Sequence, residues 1–290
     1  MSSHSKSPIQ AIQDLVTQVV RESSFNRLNF LDGSPVADEP LVGFADAYDP
    51  VIQQFKTAVG PQHLTPLEAW SIAYRGRKQP EHLSVIGFVL PFSEAVRVSN
   101  HVGRAPSAQW FHAKAHADAI IKQVKACLVS SLNEQGHHAV APSATPAFRV
   151  EYDAPMGPAS NWSERHYCYA AGLGTFGLSK GLITRRGVAM RCGTVVVDMA
   201  LPTSPRPASH TAYCKFLEGN GCGECMERCP AGVITPQGKD NMKCRAYLNE
   251  GLDHLTKRYM TSEVVQHTGA TALGACGLCQ TGVPCEDRIP

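Results

Sequence analysis

The sequence has no apolar run approaching the ~20 residues that cross a bilayer, so no membrane partner is expected. It also has little net charge. Its 27 Lys and Arg offset 25 Asp and Glu to +2, so nothing in the balance demands a nucleic-acid or membrane surface. The stretch Met1 to Gln18 has no basic start followed by an apolar segment and no twin-arginine pair, so a cytoplasmic location is expected. No internal repeat and no low-complexity tract interrupts the chain. What remains is an ordinary globular composition, 43% hydrophobic and 18% charged over 290 residues, enough for one large domain or two modest ones.

Periodicity places the main elements. Ser7-Pro8 reads as an N-cap and first helical position, and Ile9, Ile12, Leu15, Val16 and Val19 share one face, so a helix is predicted over 8–22. Residues 31–50, rich in Pro, Gly and Asp, read as loop, and 50–59 and 65–75 as short helices. The run Ser84 to Leu90 reads as a buried strand. Residues 111–133 carry Ala113, Ala117, Ile120, Ile121, Val124 and Leu128 on one stripe and read as the longest helix, ended by Gly136. Residues 147–152 and 193–199 read as strands, and 163–171 as a helix. The Pro- and Ser-rich stretch 201–209 reads as a linker, giving a boundary between a domain 1–205 and a domain 206–290.

Beyond that boundary the composition changes. Of eleven cysteines, Cys127, Cys168 and Cys192 are scattered, and the others crowd the C-terminal quarter. Cys127 reads as helix core packing, and Cys168 and Cys192 flank a glycine-rich stretch. In a reducing compartment so many thiols point to metal rather than disulfides. Residues 222–230, Cys-Gly-Glu-Cys-Met-Glu-Arg-Cys-Pro, match the last three cysteines and the proline of the bacterial ferredoxin run C-x2-C-x2-C-x3-C-P. Gly219 stands where the first cysteine would be, and Cys214 is the nearest replacement. Two thiolates separated by two residues reach adjacent irons of one cube, whereas the last Cys turns away towards another cluster. Interleaved in this way, Cys214, Cys222, Cys225 and Cys285 would hold one [4Fe–4S] cluster, and Cys229, Cys244, Cys276 and Cys279 a second. The alternative is a Cys₄ zinc ribbon, which leaves several cysteines unexplained.

Gly172, Gly174 and Gly177 match G-x-G-x-x-G but follow a helix, so a Rossmann site is not expected. These glycines would let the backbone approach a flat cofactor or turn tightly. The order Glu164-Arg165, Ala171-Gly172-Leu173-Gly174, Phe176-Gly177, Leu182-Ile183, an apolar strand and a double cluster resembles the epoxyqueuosine reductases and their relatives, the corrinoid-dependent reductive dehalogenases. Leu83 to Pro91 and the segment Cys244 to Leu248 are similar to that family as well, so the resemblance covers roughly residues 80–290.

The resemblance implies an α+β fold: a nitroreductase-like corrinoid-binding domain followed by a two-cluster ferredoxin-like domain. It implies a reductase in which two [4Fe–4S] clusters feed electrons to a bound cobalamin, which reduces a small molecule or modified nucleoside. Gly172, Leu173, Gly174, Phe176 and Gly177 would lie against the cofactor. Asp153 would donate a proton, with Tyr152, His166 and Tyr167 as further candidates. Asp153 also precedes Ala154-Pro155, where an Asp serves a turn by itself. A ferredoxin- or flavodoxin-type protein is the expected electron donor. Two departures bear on the substrate. The family continues past its clusters into helical repeats that help grip tRNA, whereas this sequence stops at Pro290, and the family's lysine after Phe-Gly is replaced by Leu178-Ser179 with Lys180 two residues later. With the balanced charge, these argue against tRNA as a partner. Two other readings stay open: an electron carrier or reductive activator without its own catalytic cofactor, and an FMN reductase.

Overall fold

The computed structural model describes residues 6–152, 157–270 and 276–290. In chain order its elements are α1 (Pro8–Glu22), β1 (Leu41–Asp46), α2 (Pro50–Ala58), α3 (Pro66–Tyr74), β2 (Ser84–Pro91), α4 (Glu94–Ser99), α5 (Ala108–Glu134), β3 (Ala139–Val140), β4 (Val150–Glu151), β5 (Ala159–Ser160), α6 (Glu164–Ala170), β6 (Gly174–Phe176), β7 (Leu182–Thr184) and β8 (Met190–Val197). There follow α7 (Glu224–Glu227), β9 (Ile234–Thr235), β10 (Gly238–Lys239), α8 (Asn241–Ala246), α9 (Asp253–Tyr259) and α10 (Ser262–Thr268). The fold is mixed: helices around a four-stranded antiparallel sheet, order β1-β2-β8-β3, with two-stranded antiparallel pairs beside it.

The helices begin where their caps dictate. The Ser7 side chain accepts the Gln10 N–H with Pro8 at the first position, Thr65 and Glu68 form a reciprocal capping box on α3, and Ser107 accepts the Trp110 N–H of α5. The 27 residues of α5 span about 40 Å and pack with α1 on one face of the sheet through Val16, Val20, Phe88, Ile120 and Val124. The other face carries α2, α3 and α6 through Ile52, Phe55, Trp70, Tyr167 and Val196. Strand β2 lies between two partners and is buried at every residue, which is why it reads as an uninterrupted apolar run.

Three expectations need correcting. Residues 41–46, read as loop, form β1, in register with β2 from Leu41↔Val89 to Asp46↔Ser84. Gly43 disguised it. A Cβ there would lie 2.3 Å from the Ala171 carbonyl oxygen, and opposite it a Cβ on Gly87 would meet Leu173 and Ala171 at 3.1 and 3.2 Å. The paired glycines cut a groove in the sheet that receives the end of α6. Of the predicted strand 147–152 only Val150–Glu151 pairs, with β5, and the strand predicted at 193–199 begins earlier, at Met190.

The linker by composition is tied down. Ser204 N–H donates to the Phe44 carbonyl and its hydroxyl accepts the Phe44 N–H, while Arg206 pairs with Asp49 at 2.8 Å and donates to the Ala170 carbonyl. Among the described residues no helix is long and apolar enough to cross a membrane.

The groove makes a stability prediction. Gly43→Ala forces a methyl into a backbone oxygen and should cost about 1–3 kcal/mol, read as a lowered denaturant midpoint at unchanged m-value.

Candidate active site and metal centres

One helix sets the site. Glu164, the first residue of α6, is anchored by its side chain to the sheet and to α5. Lys125 and the Ser143 hydroxyl (2.5 Å) both donate to its Oε1, and the Thr194 hydroxyl donates to Oε2 at 2.5 Å. Thr194 in turn accepts the Trp162 Nε1–H at 2.9 Å, and Lys125 also donates to Ser143 at 2.6 Å. At the same end of α6, His63 Nε2 accepts the Ser163 N–H at 3.1 Å, a bond that requires a neutral ring. Burial first, and then the Lys56 charge, pushes His63 down to about 4.

The exposed side of α6 lines a cavity of about 420 Å³. Its walls include Phe55 from α2, Ser160 from β5, Arg165, His166 and Tyr169 from α6, Phe176 and Gly177 from β6 and its end, and Lys180, His210 and Asn241. Phe176 is half-buried and backed by His166 at 4.7 Å and Tyr169 at 5.8 Å between ring centres. Burial, then Arg165, holds His166 down at about 3, so it is neutral near pH 7; its Nδ1 lies 2.7 Å from the Ser163 hydroxyl. Arg165 is reached by solvent, yet the protein around it lowers its pKa, as suits a guanidinium deep in a cleft. It donates to the Lys180 carbonyl at 2.6 Å.

The C-terminal cysteines gather around two further cavities. Cys214, Cys222, Cys225 and Cys285 line one, with Phe216, Ile183 and Val283. Cys229, Cys244, Cys276 and Cys279 line the other, of about 290 Å³, with Trp110, Ile234 and Tyr247. These are the two interleaved sets of four read from the spacing. Burial, then neighbouring thiolates, raises Cys225, Cys276 and Cys285 to about 12. Such thiols become good ligands only when a cation relieves that crowding. Among the described residues no three His, Cys, Asp or Glu side chains converge tightly enough for a single ion, as a mononuclear zinc site with ~2.3 Å Zn–S bonds requires. A [4Fe–4S] cube bonds its four thiolates at four separate irons and so takes a wider set.

Both sets are pinned to the chain that precedes the cysteine-rich region. Cys285 and Glu286 carbonyls accept the Val188 and Ala189 N–H groups at 2.8 and 3.1 Å. Asn100 donates to the Cys276 carbonyl at 3.3 Å. Gly277, between two cysteines at φ 65°, lies against Trp110, where a Cβ would come within 2.0 Å of the ring. The cavity at α6 and the first cysteine set share Gly177, and a Cβ there would lie 3.9 Å from Cys214 Sγ.

The other predicted residues are distributed unevenly. His166, Phe176 and Gly177 line the α6 cavity. Gly172 does not: a Cβ there would meet the Pro205 carbonyl at 2.3 Å, so its φ of +70° serves a turn under the tied linker. Gly174 packs on the Ile183 carbonyl of β7, and Leu173 fills the groove over Gly43 and Gly87. Tyr152 is exposed, with Arg245 5.1 Å above its ring. Asp153 lies outside the described residues. Tyr167 is buried and donates to the Leu64 carbonyl at 2.5 Å, with its pKa raised by burial first. Cys168 is buried beside Cys192, which together with burial raises its pKa. Sequence reasoning did not place Lys180, His210 and Arg165 in a cavity; Arg165, in the family-like pair, and Lys180, two residues after the place of the family's lysine, carried a signal, and His210 carried none.

Three outcomes follow from this geometry. Lys125→Met leaves Glu164 buried without its cation and should cost about 3–5 kcal/mol in urea unfolding. Because His63 and His166 sit below the ~6.5 of an unfolded chain, the unfolded state binds more protons in acid. Their contribution is complete above about pH 6.5 and declines as pH falls towards the folded values, by up to about 1.4 kcal/mol per pH unit for each His. His166→Asn should therefore flatten the fall in unfolding free energy between about pH 7 and pH 5. Gly277→Ala should displace the Cys276–Cys279 loop and cut bound iron to about half, measured with acid-labile sulfide.

No protein-family model matches the chain, and no curated protein does. Solved structures do. A crystal structure of selenomethionine-labelled epoxyqueuosine reductase aligns at a TM-score of 0.50 with 12% identity. The enzyme from Bacillus subtilis aligns at 0.49 with 14% identity, and epoxyqueuosine reductase with a tRNA-Tyr epoxyqueuosine-modified stem loop at 0.48 with 14%. Each alignment covers 96% of this chain and 66% of the other, so the chain spans just under two thirds of their length. That last protein is seen with a tRNA stem loop, which stands against the expectation that tRNA is an unlikely partner. The chain has the fold of epoxyqueuosine reductase.

Proposed function

We propose that this chain is an iron–sulfur oxidoreductase of the epoxyqueuosine-reductase kind, built from a nitroreductase-like domain and a two-cluster ferredoxin-like domain. Its substrate is a modified nucleoside, carried in tRNA as in the structure with the stem loop. The observation that carries this reading is the shared wall: Gly177 borders both a substrate-sized cavity and the cysteine set Cys214, Cys222, Cys225 and Cys285. Two [4Fe–4S] clusters held by the two sets would supply one-electron transfer between the surface and that cavity.

The chain's own residues define the rest. Phe55, Tyr169 and Phe176 give the cavity an apolar aromatic side. His166, neutral near pH 7 and hydrogen-bonded to Ser163, can donate or accept a hydrogen bond there without carrying a charge. Cys214 and Cys229 are buried, Cys222 is exposed and the other five are half-buried, so the two sets reach from the apolar interior towards the surface.

The described walls do not fit a whole corrinoid. About 420 Å³ is near the low end of the ~300–1,000 Å³ that bury a drug-sized ligand, and a corrinoid is several times larger. Of the five residues expected against it, only Phe176 and Gly177 reach the cavity. That volume favours a second reading in which a flavin-sized group such as FMN occupies the cavity. Anaerobic purification after growth with cobalamin, with iron, sulfide, cobalt and flavin quantified together, tests both readings. About eight irons per chain are expected. Stoichiometric cobalt would show that the cavity widens for a corrinoid, and stoichiometric flavin would establish the second reading. About four irons or fewer would sink the two-cluster assignment.

A further inference from the structure

The α6 cavity is lined by both cationic and aromatic residues. Arg165 and Lys180 line it together with His166 and His210, and no Asp or Glu does so among the described residues. Among the described residues neither cation has a carboxylate partner: the Arg165 guanidinium donates to the Lys180 carbonyl at 2.6 Å and makes no ion pair with any of them. Asp240 acts on Lys180 through space but is engaged elsewhere, accepting the Lys243 N–H at 2.9 Å as the cap of α8 and pairing with Lys243 at 3.6 Å. Burial, and then the charges of Lys239 and Arg165, lower the Lys180 pKa, so the cations stand close enough to repel.

The backbone reinforces this placement. Lys180 has φ +59°, a left-handed conformation that a lysine adopts at a cost. The turn aims its carbonyl at Arg165 while its side chain lines the cavity, so the strained residue holds one cation and contributes the other. The half-buried ring of Phe176 lines the same cavity.

We propose that Arg165 and Lys180 form an anion clamp for the phosphate of a nucleotide-like ligand whose planar ring lies against Phe176. The inference rests on the α6 cavity being the reaction site, and it adds the ligand's charge and shape. A guanidinium held at one nitrogen by a carbonyl keeps other N–H groups for phosphate oxygens, and an ammonium supplies a second, adjustable charge. The phosphate can belong to a free mononucleotide or to a nucleotide within RNA.

The test is binding to the full chain, reconstituted anaerobically, with iron measured on every sample. FMN is compared with riboflavin and AMP with adenosine, each pair differing only in phosphate. The phosphorylated member is expected to bind roughly ten- to hundredfold more tightly in at least one pair, with the advantage shrinking as salt rises. Lys180→Asn, which tolerates the left-handed backbone, should erase that advantage while leaving iron content and binding of the phosphate-free member unchanged. Lys180→Arg should preserve it, and Arg165→Gln should reduce it. Displacement of the nucleotide by a short RNA stem loop would place the phosphate in RNA; its failure to compete would place it in a small cofactor. Equal binding within both pairs, or an advantage that survives Lys180→Asn, overturns the clamp. Iron reports the clusters separately, so an iron-replete protein without phosphate preference refutes this inference and leaves the oxidoreductase reading standing.

Discussion

The position of the α6 cavity depends on a buried ion pair, Lys125 with Glu164. Neither group belongs to the cavity wall, yet Glu164 begins the helix that supplies Arg165, His166 and Tyr169 to it. A charge pair is a costly way to hold a helix in a core, because both partners leave water. What it adds over an apolar contact is direction. Ser143, Thr194 and Lys125 arrive from the loop after β3, the central sheet and α5, and converge on one carboxylate. A hydrophobic side chain at position 164 could slide; a carboxylate with three donors fixes the helix rotation. His63 fixes the same helix end from the other side, and its buried ring must remain neutral to do so.

The second constraint is the fastening of the cysteine-rich C-terminal region to the rest of the chain. The run from Ser204 to Tyr213 is hydrogen-bonded along β1 and β6, and the loops carrying Cys276 and Cys285 rest on α5 and on the turn before β8. The cysteine sets are therefore positioned by the sheet as much as by their own short helices. This suits electron transfer, in which the separation between centres must hold without the metal ions adjusting it.

Much of this was legible in the sequence, and the reason differs by element. Cysteine spacing could be read because ligand motifs involve a few nearby residues, and each expected set of four lines one cavity. The helices α1 and α5 read well because a long one-faced stripe has few alternatives. Strand β1 was hidden, since Gly43 and the flanking Pro40 and Asp46 resemble a turn when the partner groove is unseen. The glycines at 172 and 174 suggested a cofactor, yet they meet Pro205 and Ile183, contacts no local pattern encodes. Lys125 did leave a trace: it interrupts the apolar stripe four residues after Ile121, and a lysine in such a place needs a buried partner. The cations of the cavity left a fainter one, because Lys180 reaches it through an unusual backbone angle.

The nesting of the two cysteine sets has a consequence for the chain as a manufactured object. The first set spans Cys214 to Cys285 and the second, Cys229 to Cys279, lies wholly inside the gap between Cys225 and Cys285, so the second is nested in the first. A polypeptide broken anywhere between Cys229 and Cys276 completes neither set, and one that ends before Cys285 completes only the second. On the proposed two-cluster reading, the first set would remain open during synthesis until the final stretch emerges. On that reading metal loading would report on the integrity of the polypeptide, and a fragment that has lost Cys285 would carry three thiols without their fourth partner.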